Sequence, residues 1–446
     1  MTRYTARRTP AHRGPAAWSA ILPGQAPPVV LDHDLSTDFA VIGAGFAGLS
    51  AARRLRQLAP GASVAVLEAG RLAEGASGRN SGFMIDLPHE LTSDDYAGQG
   101  DDRAMIALNR HAIAFAADVV GDHAINPAYF DRAGKVNGAA SAAADNLNRS
   151  YARHLESLGE PSEYLDAQAM TALTGSRHYR SGLYTPGTVM LQPAGYIRGF
   201  GEGMRRAGIG VFENTPATAI TRQGDAWAIS TPRGRVSAGR VILANNGHLE
   251  SFGFKPGRLM HVFLYASMTE DLDAQTLKAL GGQARWGITP SDPMGTTMRR
   301  IDSAQGGNRI VTRTCGTFAP GMEVSAAALR RATAVHRRKF AQRFPQLSGV
   351  RQEYSWAGHL CLTQNAVSVM RELDHGLFAG CVQNGLGTAR GTLTGIGAAE
   401  LACGHDSAVT RHFGAEAEPA RLPPAPLATI GANLFLCWKE WRAGQE

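Results

Sequence analysis

Residues 38–82 read DFAVIGAGFAGLSAARRLRQLAPGASVAVLEAGRLAEGASGRNSG, and the fold follows from them. The apolar run 39–42 predicts a short buried strand. Gly43, Gly45 and Gly48, with Phe46 and Ala47 between them, complete a G-x-G-x-x-G turn. Leu49, Ala52, Leu55 and Leu58 recur at helical spacing, and 63–67 predicts a second strand running into Glu68 and Ala69. Each part has a physical task. The first glycine makes the tight turn, the second admits a pyrophosphate against the backbone, and the third lets helix pack on strand. The helix N-terminus offers N–H groups and the positive end of its dipole to phosphate. Glu68, about 20 residues beyond the last glycine, stands where a carboxylate accepts a ribose hydroxyl. The stretch predicts a dinucleotide site.

The following loop decides which dinucleotide. Gly75–Gly82 (GASGRNSG) is dense in small residues, hydroxyls and backbone donors, and suits the far side of a pyrophosphate and the chain beneath a flavin ring. Far downstream, 377–380 reads as another buried strand, then come Gly385, Leu386, Gly387 and Thr388, and then a helical run at 391–403. This second Gly-rich strand-to-helix junction predicts that distant segments close over one large cofactor. A helix N-terminus there stabilises negative charge on a reduced flavin.

At this point the chain resembles the D-amino-acid oxidase/glycine oxidase superfamily of FAD enzymes, nearest to γ-glutamylputrescine-oxidase-like and sarcosine-oxidase-like proteins. The matching pieces are VIGAGFAGLSAA at 41–52, GASGRNSG at 75–82, QPAGYIRGF at 192–200, VILANNG at 241–247, the W-A-G at Trp356, and FAGCVQNGLGTARGTLTGIGAAELACG at 378–404. The resemblance implies a mixed α/β fold: a Rossmann-like FAD-binding domain interleaved with an antiparallel-sheet substrate domain.

It also implies roles. Gly43, Gly45, Phe46, Ala47 and Gly48 would hold the pyrophosphate, and Glu68 with Ala69 the adenosine ribose. Ser77, Gly78, Arg79, Asn80 and Ser81 would line phosphates and ribityl chain, and Gly82, Phe83 and Met84 would pass the reactive edge of the flavin. Ala217 falls where the family holds adenine, Ala244 and Asn246 on the adenosine side, and Gly385, Leu386, Gly387 and Thr388 at the pyrimidine end of the ring. Sarcosine oxidases tether flavin through a cysteine three residues before a threonine. With Thr363 as that threonine the position holds Leu360, one place from Cys361, so the FAD is expected to be non-covalent. The implied reaction removes a hydride from a carbon bonded to nitrogen of an amine or amino acid, and the imine then hydrolyses. Oxygen or a quinone-type carrier would take the electrons. His261, Tyr265, Arg313 and His359 are the candidates for substrate contact. An FAD-dependent hydroxy-acid or polyol dehydrogenase, or a flavin-binding subunit of a larger complex, remains open as an alternative.

Composition agrees with a globular chain. Its 446 residues are 44% apolar and 19% charged, with a net charge of +7. Basic residues gather at the N-terminus and at 329–343, where Arg330, Arg331, Arg337, Arg338, Lys339 and Arg343 oppose Val335, Phe340 and Phe344, the pattern of an amphipathic helix with a solvated face. No aromatic-interleaved basic module points to nucleic acid. The five cysteines (Cys315, Cys361, Cys381, Cys403, Cys437) make no C-x-x-C spacing, so neither a metal site nor a disulfide framework is expected. No apolar run of membrane-spanning length and no secretory pattern appears, and a cytoplasmic protein is expected. The expected organisation is a Pro-rich arm (1–36), an FAD-binding domain in three pieces (37–90, 192–250, 352–410), a substrate domain in two (91–191, 251–351), and a tail (411–446) with a closing helix at 430–441.

Overall fold

The computed structural model describes residues 2–88 and 100–446, so the boundary drawn at 90/91 falls outside the described residues. The first strand, Leu35–Ile42, is longer than its apolar run because Leu35 to Asp38 continue its pairing with the strand Arg235–Leu243. It runs parallel to that strand on one side and to Val64–Leu67 on the other. Gly210–Phe212 extends the parallel set beyond Val64–Leu67, and Leu377–Cys381 joins it beside Arg235–Leu243. An antiparallel ribbon, Ala219–Gln223 with Ala226–Ser230, completes most of this nine-stranded sheet. The N-terminal residues Arg3–Thr5 add an antiparallel edge strand to Ala219–Gln223.

Strands buried on both faces read as continuous apolar runs, which is why 39–42 and 377–380 stood out. The helix Phe46–Leu58 follows the first junction and buries Leu49, Ala52 and Leu55 completely. It packs on the helix Ala389–Ala402, which follows the second junction. Two segments roughly 340 residues apart therefore present their N-termini side by side.

The second sheet has eight strands in the order Gln352–Leu362, Met260–Thr269, Arg309–Phe318, Thr297–Ile301, Trp286–Pro290, Lys135–Ala139, Ser181–Thr185, Glu163–Asp166. All its neighbours are antiparallel except Trp286–Pro290 with Lys135–Ala139. Phe83–Met84, Val189–Leu191 and Phe130–Asp131 form a small third sheet. The expected mixed architecture of a Rossmann-like layer and an antiparallel roof is the one observed. The strand Gln352–Leu362 belongs by its hydrogen bonds to the second sheet, and Val369–Asp374 to the first.

Three helices show how burial goes beyond what composition tells. Asp102–Asp122 is long and apolar enough by length and composition to cross a membrane. It buries Ile106, Ala112, Ile113, Ala116 and Val119 and packs on Ala389–Ala402. Ala326–Arg343 keeps Arg330, Arg331, Arg337 and Arg338 exposed, but Lys339 and Arg343 are buried. Their donors reach the C-terminal carbonyls of Gly444, Gln445 and Glu446, so part of the basic face is structural rather than solvated. The closing helix forms as Ala425–Ala443 and turns its apolar side outward.

Candidate cofactor and substrate site

A large cavity of about 320 Å³ lies between the two sheets. Its floor starts at the first glycine turn. Gly43 sits at φ +107°, and a Cβ there would meet the Ala244 carbonyl oxygen at 2.7 Å. A Cβ on Gly48 would stand 1.7 Å from the Gly43 oxygen, so this glycine closes the packing between helix and turn and does not itself line the cavity. Gly45, Phe46 and Ala47 do line it. Glu68 accepts from Ala44 N at 2.8 Å and Gly70 N at 3.2 Å. Burial pushes its pKa up against those backbone N–H donors.

Most helices away from this cavity start on a side-chain cap, the exceptions being Ala17–Ala20 and Ala425–Ala443. Asp101, Ser141, Asp166, Gln192, Asp273, Ser325 and Ser407 each cap a helix with a side-chain acceptor. Gly45 and Thr388, which begin the two helices meeting at the cavity, supply none. Apart from Arg390 N–H, which donates to Leu386 O at 3.0 Å, their leading N–H groups are left for an acceptor in the cavity, as an anion site requires. Thr388 spends its hydroxyl on Phe83 O at 2.8 Å, tying the second junction to the end of the GASGRNSG loop. Gly385, Leu386, Gly387, Ala217, Ala244 and Asn246 also line the cavity, and the buried Asn246 Oδ1 has no partner among the described residues. Backbone donors, an orphaned acceptor and two aligned helix ends fit a bound dinucleotide.

The GASGRNSG loop wraps the other side, with Ser77, Arg79, Asn80, Ser81, Gly82 and Phe83 on the wall and Gly78 and Met84 behind it. Arg79 has a structural task there. Its guanidinium donates to the carbonyls of Glu74 (2.6 Å), Gly14 (3.0 Å), Ala357 (3.3 Å) and Arg13 (3.4 Å). Burial brings its pKa down to about 10. Those bonds pin the N-terminal leader and the roof strand to the loop. The leader itself is part of the wall, since Ala6, Arg8, Thr9, Pro10, Ala11 and His12 line the cavity. Nothing in its Pro-rich composition signals this, because the contact is made by a chain segment that carries no motif.

The roof is the edge of the second sheet, and its pleat divides the four substrate candidates. Directly opposed residues of neighbouring strands share a face. Arg313 opposes Ala266 and Thr297 and lies on the face of Leu264, Leu360 and Gly358, toward the GASGRNSG loop. His261, Tyr265 and His359 alternate to the reverse face, where His359 opposes Phe263. Tyr265 and His359 still border the cavity, and His261 does not. Tyr265 donates to Thr317 at 2.9 Å.

The histidines form a chain. His261 Nε2 is 2.6 Å from Glu250 Oε2, and His261 Nδ1 is 3.1 Å from His359 Nε2. Burial raises the Glu250 carboxyl, but hydrogen bonds from His261 and Gly257 outweigh it and hold the pKa below its usual value. Glu250 is thus an acceptor for His261 Nε2–H, and His261 Nδ1 shares the second hydrogen bond with His359 Nε2. Burial, reinforced by the neighbouring imidazoles, holds His359 well below its ordinary pKa.

Thr297 and Thr289 are among the cavity residues that escaped the sequence reading. Thr297, opposite Arg313, lines the wall with its buried hydroxyl unpartnered among the described residues. Thr289 also lines it and binds the buried Lys135, whose pKa falls to about 8 through desolvation. Only strand register reveals either one. Cys361 is fully buried and its thiol is pushed well above the usual range, so no thiolate is on offer. Among the described residues no group of three or more His, Cys, Asp or Glu side chains is placed to hold a metal.

Comparison with known proteins agrees with this geometry. Residues 38–401 match the model of the FAD dependent oxidoreductase family, DAO. The chain is 26% identical over 410 residues to the "Probable oxidoreductase OrdL" of Rhizobium meliloti, covering 89% of this chain and 90% of that one. It is 24% identical to the γ-glutamylputrescine oxidoreductase of Escherichia coli, covering 79% and 80% respectively. The crystal structure of glycine oxidase from Geobacillus kaustophilus superposes with a TM-score of 0.67 at 19% identity, over 84% of this chain and 96% of that one. The chain belongs to the DAO family of FAD-dependent oxidoreductases, and it is an enzyme whose cofactor is FAD.

Proposed function

We propose that this enzyme oxidises the C–N bond of an amine or amino acid carrying a carboxylate. The observation behind the reading is the pairing of two uncapped helix N-termini on the cavity floor with Arg313 on the cavity-facing side of the roof. The residues proposed to hold FAD are the glycine turn, Glu68, the GASGRNSG loop, Ala217, Ala244, Asn246 and residues 385–388. Bound FAD supplies the hydride acceptor. With Leu360 at the family's tethering position and Cys361 a buried thiol, the attachment is non-covalent.

Arg313 binds the substrate carboxylate by charge-assisted hydrogen bonds and so fixes which C–H faces the floor. Thr297, beside it, offers its hydroxyl to the same group or to the substrate nitrogen. The dry wall of Leu264, Ala266 and Leu360, with the Arg313 charge, favours the neutral amine over its ammonium form. As hydride leaves carbon, the nitrogen lone pair forms the C=N bond. Water then adds to the imine and gives a carbonyl compound and the released amine. The division into cofactor pieces (37–90, 192–250, 352–410) and substrate pieces (91–191, 251–351) belongs to this proposal, with strand Gln352–Leu362 contributed to the roof. Oxygen or a quinone-type carrier is the proposed acceptor.

The test is an anaerobic flavin-bleaching screen with N-methyl amino acids, γ-glutamyl polyamine conjugates, cyclic imino acids, D-amino acids and 2-hydroxy acids. Rapid bleaching by a carboxylate-bearing amine supports the proposal. Bleaching by a hydroxy acid alone overturns it.

A further inference from the structure

The helix Ala425–Ala443 is built inside out. Its inward side carries polar groups: Asn433 Oδ1 accepts from Phe318 N at 3.0 Å, and Glu440 Oε1 accepts from Gly316 N at 2.8 Å. These bonds satisfy the edge of strand Arg309–Phe318 beyond the point where its pairing with Thr297–Ile301 ends. The outward side carries Leu427, Ile430, Leu434, Phe435, Trp438 and Trp441, exposed between 45% and 78%. Only two other large apolar residues of the described chain, Val29 and Tyr164, are comparably exposed. Their spacing places Leu427, Ile430, Leu434, Trp438 and Trp441 on one stripe. A stripe of this size on a globular protein is an interaction surface.

Charge decides what covers it. The one carboxylate of the helix, Glu440, is turned inward to Gly316 and Arg331. Lys439 and Arg442 lie over the Trp438 ring at 5.8 and 5.6 Å. The neighbouring helix Ala326–Arg343 contains no acidic residue and exposes Arg330, Arg331, Arg337 and Arg338. It lies alongside, joined by the Arg331–Glu440 ion pair and by Lys339 bonding Glu446 O. An apolar stripe with tryptophans, flanked by cations, matches the headgroup boundary of an anionic bilayer. A second copy would set one cationic patch against another. The helix lies on the membrane rather than across it, for it bears three charged residues and is not apolar enough to span.

We propose that the helix Ala425–Ala443, flanked by Ala326–Arg343, docks this enzyme on an anionic lipid surface. The test is co-sedimentation of the holoenzyme with vesicles of phosphatidylcholine, alone or with phosphatidylglycerol at about 30 mol %. Wild type is expected to sediment with the anionic vesicles only, with a blue-shifted tryptophan fluorescence. Binding should weaken as salt is raised. Trp438→Glu/Trp441→Glu should remain in the supernatant while keeping its flavin, since both side chains point to solvent. Arg337→Glu/Arg338→Glu should bind at least tenfold more weakly. Three results would each overturn the proposal: wild type unbound by anionic vesicles, both variants binding as wild type does, or wild type sizing as a dimer that the tryptophan variant dissolves.

Discussion

The cavity floor is made of backbone: glycines 43 and 45 with Gly48 packed behind them, two helix ends without a side-chain cap, and a carboxylate held by peptide N–H groups. The roof, by contrast, presents side chains from four antiparallel strands, Arg313 and Thr297 among them, on a face set by the pleat. Backbone recognition admits little variation, because each peptide must be where it is, and only glycine fits at the closest approaches. Side-chain recognition leaves the strand intact whatever residue it carries. In the proposed function the floor fixes the cofactor, while the roof is free to set the substrate. The two fail differently when disturbed.

The largest effect belongs to the floor. Gly48→Val places a branched side chain against the Gly43 carbonyl, where even a Cβ stands at 1.7 Å. Overpacking of this kind costs about 3 kcal/mol or more, and the protein should purify without flavin or fail to fold. A yellow, stable variant would show that the turn is not the cofactor's seat. Absorbance at the flavin band against protein concentration reads it directly.

Next comes acid, acting on the reverse face of the roof. His336 donates Nε2–H to Thr314 O (3.2 Å) and accepts the Ser267 hydroxyl at Nδ1 (2.7 Å), a neutral tautomer. Burial, the largest effect, holds its pKa down at about 4. As pH falls below about 6.5 the unfolded chain takes up this proton and the folded one does not, so stability is full above that pH and declines toward pH 4. The contribution is of order 3 kcal/mol for this one residue. Urea unfolding at pH 7 and pH 5 should show the loss, and His336→Gln should reduce it, the remainder coming from His12, His178, His248 and His359, whose pKa values burial also lowers. An equal slope in the variant would remove His336 from the account.

Arg313→Ala comes third: a rise in KM for a carboxylate substrate of roughly 10- to 100-fold, from the loss of a charge-assisted bond. Glu68→Ala is smallest, with FAD affinity weakened about tenfold and turnover per bound flavin unchanged.

The floor was legible in the sequence because its parts are contiguous. Strand, glycines, helix and Glu68 follow one another, and local geometry alone fixes their relation. The second junction at 385–388 was legible for the same reason. The roof was not, because cross-strand register decides which residue faces in. His359 and Leu360 are neighbours in sequence and lie on opposite faces of the strand. Thr297 carries no motif and matters only because it opposes Arg313. The leader residues 6–12 and the buried Lys339 and Arg343 escaped for a related reason: each serves a contact with a distant part of the chain. The helix at 430–441 was seen, but its direction of facing was set by the strand edge it satisfies.

The division of labour is tested most directly by two measurements on each of two variants, Glu68→Ala and Arg313→Ala: the dissociation constant for FAD and the KM for the carboxylate-bearing amine found by the bleaching screen. Glu68→Ala should lose FAD affinity at unchanged KM, and Arg313→Ala should raise KM at unchanged FAD affinity. If Arg313→Ala releases FAD, or Glu68→Ala alters KM as strongly as Arg313→Ala does, floor and roof do not have separate tasks and the account is contradicted.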